Sequence, residues 1–196
     1  MSENEFIYNT ESINKVGSEP KIELYELVNE YNEVLNHRTT EFNFEVDDAV
    51  TVASRLIETA KKYNLYNLSA NQCGLNYRLF VAGSGNEYVA FFNPTILSYD
   101  GEDVIMSEVD ANIPALQLKV KRPEIINIKY IDYNGEEKSA VFSGLTSRLL
   151  QQSYDRINGV SFCSKVSSFV LDRALKSQNK KIKKYVRAVM SQHKIN

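Results

Sequence analysis

Histidine is almost missing from these 196 residues: only His37 and His193 occur, near opposite ends. A zinc site of the usual His/Cys kind would have to gather its ligands from across the whole chain, so the inventory argues against a metalloenzyme. Cysteine is as scarce. Cys73 and Cys163 stand far apart and outside any CxxC pattern, which points to free thiols in an intracellular or virion-like setting rather than a disulfide framework. No run of about 18 apolar residues is present, so neither a membrane-spanning helix nor a membrane partner is expected. The opening Met1-Ser2-Glu3-Asn4-Glu5 is polar and acidic, unlike a secretory signal. Internal repeats and low-complexity segments are also lacking.

What is there is enough for one domain with a real core: 43% of the residues are hydrophobic. The net charge of −2 hides a polarity along the chain. Residues 1–48 hold twelve acidic side chains against three basic ones, residues 49–171 balance at twelve each, and residues 172–196 hold eight basic ones against Asp172. Ends of opposite sign suit electrostatic partners, each other, or a neighbouring copy.

Three regions are expected: an acidic arm and helix over 1–45, a domain over 46–166, and a basic helix over 167–196. Residues 1–19 read as an extended arm. Apolar residues at helical spacing from Leu24 to Leu35 predict a helix over 20–35. Asp47 or Asp48 caps a second helix with Val52, Ala53, Leu56, Ile57 and Ala60 inside. Leu79–Ala82 and Tyr88–Phe92 flank the hairpin signal Gly83-Ser84-Gly85-Asn86. A strand over Thr95–Tyr99 should end in a turn at Asp100-Gly101. Ile125–Tyr133 and Lys138–Phe142 are joined by Asn134-Gly135, a two-residue hairpin turn. Helices over Leu145–Ile157 and Ser168–Met190 follow, the latter with Leu171, Ala174, Leu175, Ile182, Tyr185, Val186 and Val189 on one stripe and lysines opposite. Strands bracketed by helices argue for an α+β fold.

On the 145–157 helix, Leu145, Leu149, Gln152 and Arg156 share a face, with Ser153 beside them. If Leu149 points inward, an amide and a guanidinium point inward too and need partners. Three motifs then resemble those of the peptide deformylases, over roughly residues 46–176. Leu68–Gly74 is similar to the family's AAxQxG, with Gln72 on the glutamine that helps hold the substrate carbonyl; Leu65 and Asn67 replace two glycines of the peptide-admitting strand. Glu108–Pro114 is similar to EGCLSxP, with Asp110 on the cysteine ligand and Ala111 on the leucine whose backbone N–H faces the oxyanion. Val120–Pro123, Tyr130, Asp132 and Gly135 fit as well. Gln151–Phe162 aligns with QHExDHLxGxLF; Gln151, Asp155, Gly159 and Phe162 are kept, Gln152 and Arg156 replace the histidines, and Ser153 replaces the glutamate.

The resemblance implies antiparallel sheets around a central helix. It also implies an enzyme family that removes the formyl group from new chains, with a metal held by one cysteine and two histidines. Because that route needs a metal-activated water and a carboxylate proton shuttle, the substitutions lead to several expectations. The chain is not an enzyme and takes no cofactor or metal. Gln72, Ala111 and Ser153 are vestigial, and Asp110, Gln152 and Arg156 are former ligand positions, tied by an Asp110–Arg156 ion pair, hydrogen-bonded by Gln152, in the metal's place. Its residue usage and the segment Leu171–Lys176 resemble deformylase-like proteins of phages. A virion subunit (tail, neck or baseplate) is therefore expected, contacting other proteins through its N-terminal arm and C-terminal helix, or further copies of itself. The alternatives are a cytoplasmic ribosome or nascent-chain binder, whose basic helix would meet RNA phosphates, and a divergent metal-dependent deformylase.

Overall fold

The structure, a computed structural model, describes residues 22–192; the arm expected over 1–19 lies outside them. Helix α1 (Ala49–Lys62) starts where the Asp48 carboxylate accepts from the Thr51 N–H, leaving an orphan donor of the first turn satisfied. It buries Ala49, Ala53, Leu56 and Ala60, a stripe at helical spacing, and ends with Lys61 and Lys62 near its negative pole.

One antiparallel sheet follows in the order β1-β2-β3-β4-β5: β1 (Asn67–Ser69), β2 (Leu79–Ser84), β3 (Glu87–Asp110), β4 (Ile113–Ile131) and β5 (Glu137–Ser143). Helix α2 (Gly144–Ile157) crosses one face of the sheet, and α1 covers the other. This explains the unbroken apolar runs of β2 and β3. Leu79, Val81, Ala90 and Phe92 pack toward α1, whereas the alternate residues Phe80 and Phe91 pack toward α2 with Ile126, Ile128, Leu150 and Ile157. Truncating Leu150, which is fully buried there, to alanine would cost ~2–5 kcal/mol.

Two expectations are corrected. The predicted helix over 20–35 does not form among the described residues. Tyr25 N–H donates to Thr59 Oγ1 and Val28 N–H to the Gln72 carbonyl, so these donors are spent on α1 and on the turn after β1 rather than within a helix. Only Glu33–Asn36 forms a short 3₁₀ turn, capped by Asn32. The turn expected at Asp100-Gly101 is instead an irregularity inside β3, whose pairing with β4 shifts register between Asp100 and Asp103, with Gly101 at φ 76°. The chain thus runs on as one long β3–β4 hairpin, turning at Ala111-Asn112.

After α2, Gly159 adopts φ 74°, and a Cβ there would sit 2.8 Å from the Asn36 backbone. Only glycine permits this close crossing of the two segments. Helix α3 (Ser168–Gln192) packs its first turns against the domain: Leu171 and Ala174 lie against Leu116, Leu118, Val120 and Phe162, and Gln178 donates to the Pro114 carbonyl. Beyond that point Ile182, Tyr185, Val186 and Met190 are exposed beside the lysines. No helix among the described residues is long and apolar enough to cross a membrane.

Candidate functional site

Helix α2 carries polar side chains inward because the hairpin and β1 meet each of them with a partner. Leu145, Leu149, Gln152 and Arg156 do share a face, but it faces a cleft rather than the core. Leu145 stands exposed at the rim, while Gln152 and Arg156 are buried at the floor. The cleft is a cavity of about 320 Å³ between β1, the β3–β4 turn and α2. Its walls include Leu65, Tyr66, Val109, Ala111 and Leu149, and its floor holds Gln72, Asp110, Gln152 and Arg156.

Asp110 and Arg156 come together there. Arg156 Nε donates to Asp110 Oδ2 at 3.0 Å, and Nη2 lies 3.0 Å from Oδ1. Both side chains are nearly sealed from solvent, at 4% and 3% exposure. Asp110 Oδ1 also accepts from the Asn112 N–H at 2.9 Å and, at 3.5 Å, from Gln72 Nε2. Gln152 does not join this pair. Its Nε2 donates to the Val109 carbonyl at 2.7 Å, and its Oε1 accepts from Asn67 Nδ2 at 3.3 Å.

Asn67 and Ser153 are matched to each other. The Asn67 amide sits 2.8 Å from Ser153 Oγ, filling room that a longer side chain at 153 would need, and it also reaches the Leu149 carbonyl. Ser153 is consequently buried behind Asn67 and does not line the cleft. Gln72 Oε1 accepts the Ser69 N–H, which fixes the amide at the floor. Ala111 lies in the hairpin turn and forms part of the wall.

Beside the floor lies a cluster that the sequence reading did not single out. Glu108 accepts from Arg122 Nε (2.7 Å) and Nη2 (3.0 Å), and from Arg148 Nη1 at 2.6 Å. Arg122 Nη1 reaches Asp155 Oδ2 at 2.6 Å, and Lys165 closes the chain of charges from outside. Burial alone would pull the Arg122 pKa down, but its hydrogen bonds to Glu108 and Asp155 outweigh burial and raise it. Arg148 also donates to the Val120 and Val104 carbonyls, and Gln151 to that of Pro123, so α2 is stitched to both strands of the hairpin. Only the spacing of Arg148, Gln151 and Asp155 along one helical face could have signalled it.

The two cysteines are free thiols, and burial pushes the Cys73 thiol up to about 12. His37 is exposed, and His193 lies outside the described residues. Among the described residues no group of three or more His, Cys, Asp or Glu side chains is gathered to hold a metal. A metal of the kind the resemblance implies does not fit the floor. A guanidinium offers no lone pair to a cation, and the Asp110 carboxylate is committed to Arg156 and Asn112.

The polypeptide deformylase family model matches residues 24–171, most of the chain and all of this cleft. The chain belongs to that family. A peptide deformylase of Thermotoga petrophila is 32% identical over 121 residues, covering 62% of this chain and 74% of the relative. One from Thermoanaerobacter pseudethanolicus is 33% identical over 143 residues, covering 73% and 87%. Among solved structures, the peptide deformylase of Synechococcus elongatus in complex with actinonin superposes with a TM-score of 0.73 at 29% identity, covering 79% of this chain and 86% of that one. The deformylase-like α+β fold expected from the motifs is therefore the observed one.

The same kinship corrects another expectation. The substituted histidines and glutamate pointed to a chain that is not an enzyme. The family it belongs to, and the relatives it matches, are peptide deformylases, which are enzymes, and the expectation does not stand against them.

Proposed function

We propose that this deformylase-family protein binds an extended peptide in the cleft between β1 and α2, and that helix α3 joins it to a larger protein assembly. The observation that carries the first half is the cleft itself, an apolar-walled cavity of about 320 Å³ closed by a polar floor. That is the usual build of a small ligand site. β1 is the terminal strand of the sheet among the described residues and borders the cleft through Asn67, whose backbone offers groups to an added strand, the Ser69 N–H being taken by Gln72. The Synechococcus neighbour with actinonin supports reading this fold as one that holds a small ligand.

The second half rests on α3. The helix spans roughly 37 Å, packs over its first turns, and leaves Ile182, Tyr185, Val186 and Met190 exposed next to Lys180, Lys181, Lys183 and Lys184. A virion particle is the assembly this reading favours, in keeping with the residue usage of the chain.

Titration of isotopically labelled protein with short N-formylated and unformylated peptides tests the cleft. Shifts should concentrate on Tyr66, Asn67, Ala111 and Gln152, and peptides that perturb only distant residues would defeat the reading. The same peptides, incubated with the protein and added divalent metal, read the family's deformylation directly. Association with particles that resists high salt supports the assembly reading; salt-sensitive co-sedimentation with ribosomes would replace it with RNA binding.

A further inference from the structure

We propose that Arg156 makes the cleft floor a carboxylate-binding site, so that the preferred occupant carries a free carboxylate next to an apolar group. This rests on the peptide reading of the cleft and specifies which end of the ligand the floor takes.

The starting point is an incomplete set of hydrogen bonds. A guanidinium has five N–H donors. Arg156 makes one well-formed hydrogen bond, from Nε to Asp110, although its side chain is 4% exposed. Nη2 is sealed beside Asp110 Oδ1 at 3.0 Å, close enough for Coulomb attraction but outside hydrogen-bond geometry, and Nη1, which is not sealed, makes no hydrogen bond among the described residues. The side chain lines the cavity. A buried cation with unspent donors at the end of an open cavity is best completed by an acceptor entering from that cavity.

The rest of the floor selects the kind of acceptor. Its own acceptors are committed: Asp110 to Arg156 and Asn112, and Gln152 Oε1 to Asn67. Gln72 Nε2 is held only by a 3.5 Å contact and remains a donor in search of a better partner. Donors are therefore in surplus and acceptors are spent. An ionised carboxylate is acceptor-only, and it forms stronger hydrogen bonds with a guanidinium than a neutral carbonyl does. Of the two buried carboxylates, Glu108 does not oppose it, because Arg122 and Arg148 hold it, whereas Asp110 shares the Arg156 guanidinium with the incoming group and already neutralises one unit of charge there. The apolar walls, Leu65, Val109 and Leu149 among them, fit an uncharged side chain beside the carboxylate. The C-terminal residue of a peptide and an acidic side chain flanked by apolar residues share this chemistry.

The wild-type protein tests the proposal without any variant. Calorimetric titration compares N-acetyl-Ala-Leu as the free acid, the same peptide as the C-terminal amide, an N-formyl-Met-Leu amide, and an amidated peptide with one internal glutamate. The free acid should bind on the order of tenfold tighter than its amide, the worth of one charge-assisted hydrogen bond. Its chemical-shift changes should centre on Gln72, Asp110 and Arg156. If the internal-glutamate peptide matches the free acid, the carboxylate site stands and its source is a side chain. If the acid and its amide bind equally, or the formyl amide binds tightest, the proposal is overturned while the peptide reading survives. If none of the peptides binds, both fall. A Gln72→Ala variant, which spares the ion pair, should reduce the preference for the acid over the amide.

Discussion

Replacing Arg156 by methionine keeps a side chain of similar length and removes its charge, so it isolates what the ion pair contributes. Asp110 would stay where it is, 3% exposed, with the Asn112 N–H at 2.9 Å as its remaining close partner and the Gln72 amide at 3.5 Å. Breaking a buried pair by removing one member costs about 3–5 kcal/mol, because the survivor is left charged and poorly solvated. The Asn112 hydrogen bond places the expected loss near the lower end, about 3 kcal/mol, or roughly 6–12 °C in melting temperature for a chain of this size. Asp110→Asn in the same background removes the stranded charge and keeps a group that accepts from Asn112. The double variant should therefore be more stable than Arg156→Met alone, and the cycle should return a coupling of about 2 kcal/mol. Urea unfolding followed by circular dichroism, with the slope fitted separately for each variant, measures all four corners. A loss below about 1 kcal/mol for Arg156→Met, together with a coupling indistinguishable from zero, would refute the reasoning.

The neighbouring cluster should be at least as sensitive. Glu108→Gln leaves Arg122 and Arg148 buried opposite a neutral amide, so it should destabilise by about 3–5 kcal/mol in the same assay; a smaller effect than that of Arg156→Met would show that Asp155 already satisfies Arg122, and the Val104 and Val120 carbonyls Arg148. Acid sensitivity follows from two aspartates, the exposed Asp48 and the partly buried Asp132. The Thr51 hydroxyl and N–H lower the Asp48 pKa below its ordinary 3.8. Burial opposes the same shift at Asp132, but the backbone N–H groups of Glu136 and Asn134 prevail and lower it too. Each folded pKa lies below the unfolded one, so the stabilisation is complete above the unfolded value and is lost as pH falls through the folded value. Melting temperature should drop between about pH 5 and about pH 3, and the Asp48→Asn/Asp132→Asn variant, which cannot titrate there, should show a shallower drop.

The order of elements and the family were legible in the chain because they rest on local chemistry. Asp48 announced α1, Asn134-Gly135 announced the β4–β5 turn, and the motifs around Gln72, Glu108 and Gln151 carried the fold. The failures also have local causes. Leu24–Leu35 has helical spacing, but Val28 and Tyr25 give their N–H groups to Gln72 and Thr59, partners far away in sequence. Asp100-Gly101 has the composition of a turn, yet a long partner strand holds both sides of it in one hairpin. The expectation that the chain is not an enzyme came from the substituted ligand positions alone, and kinship with the peptide deformylases overturned it.

By itself the sequence determined that a guanidinium and a carboxylate stand at positions 156 and 110, and that an amide and a hydroxyl stand at 67 and 153, where the motifs it resembles have a glycine and a glutamate. Spacing could place Arg156 on an inward helical face, since that follows from the pitch of one helix. Only the tertiary structure decided what each group meets. The crossing of α2 over the hairpin sets Arg156 against Asp110 at 3.0 Å, directs Gln152 to Val109, seals Ser153 behind Asn67, and leaves Nη2 of Arg156 without a hydrogen-bond partner. Those contacts join residues tens of positions apart, and their geometry depends on angles between packed elements that no local pattern encodes.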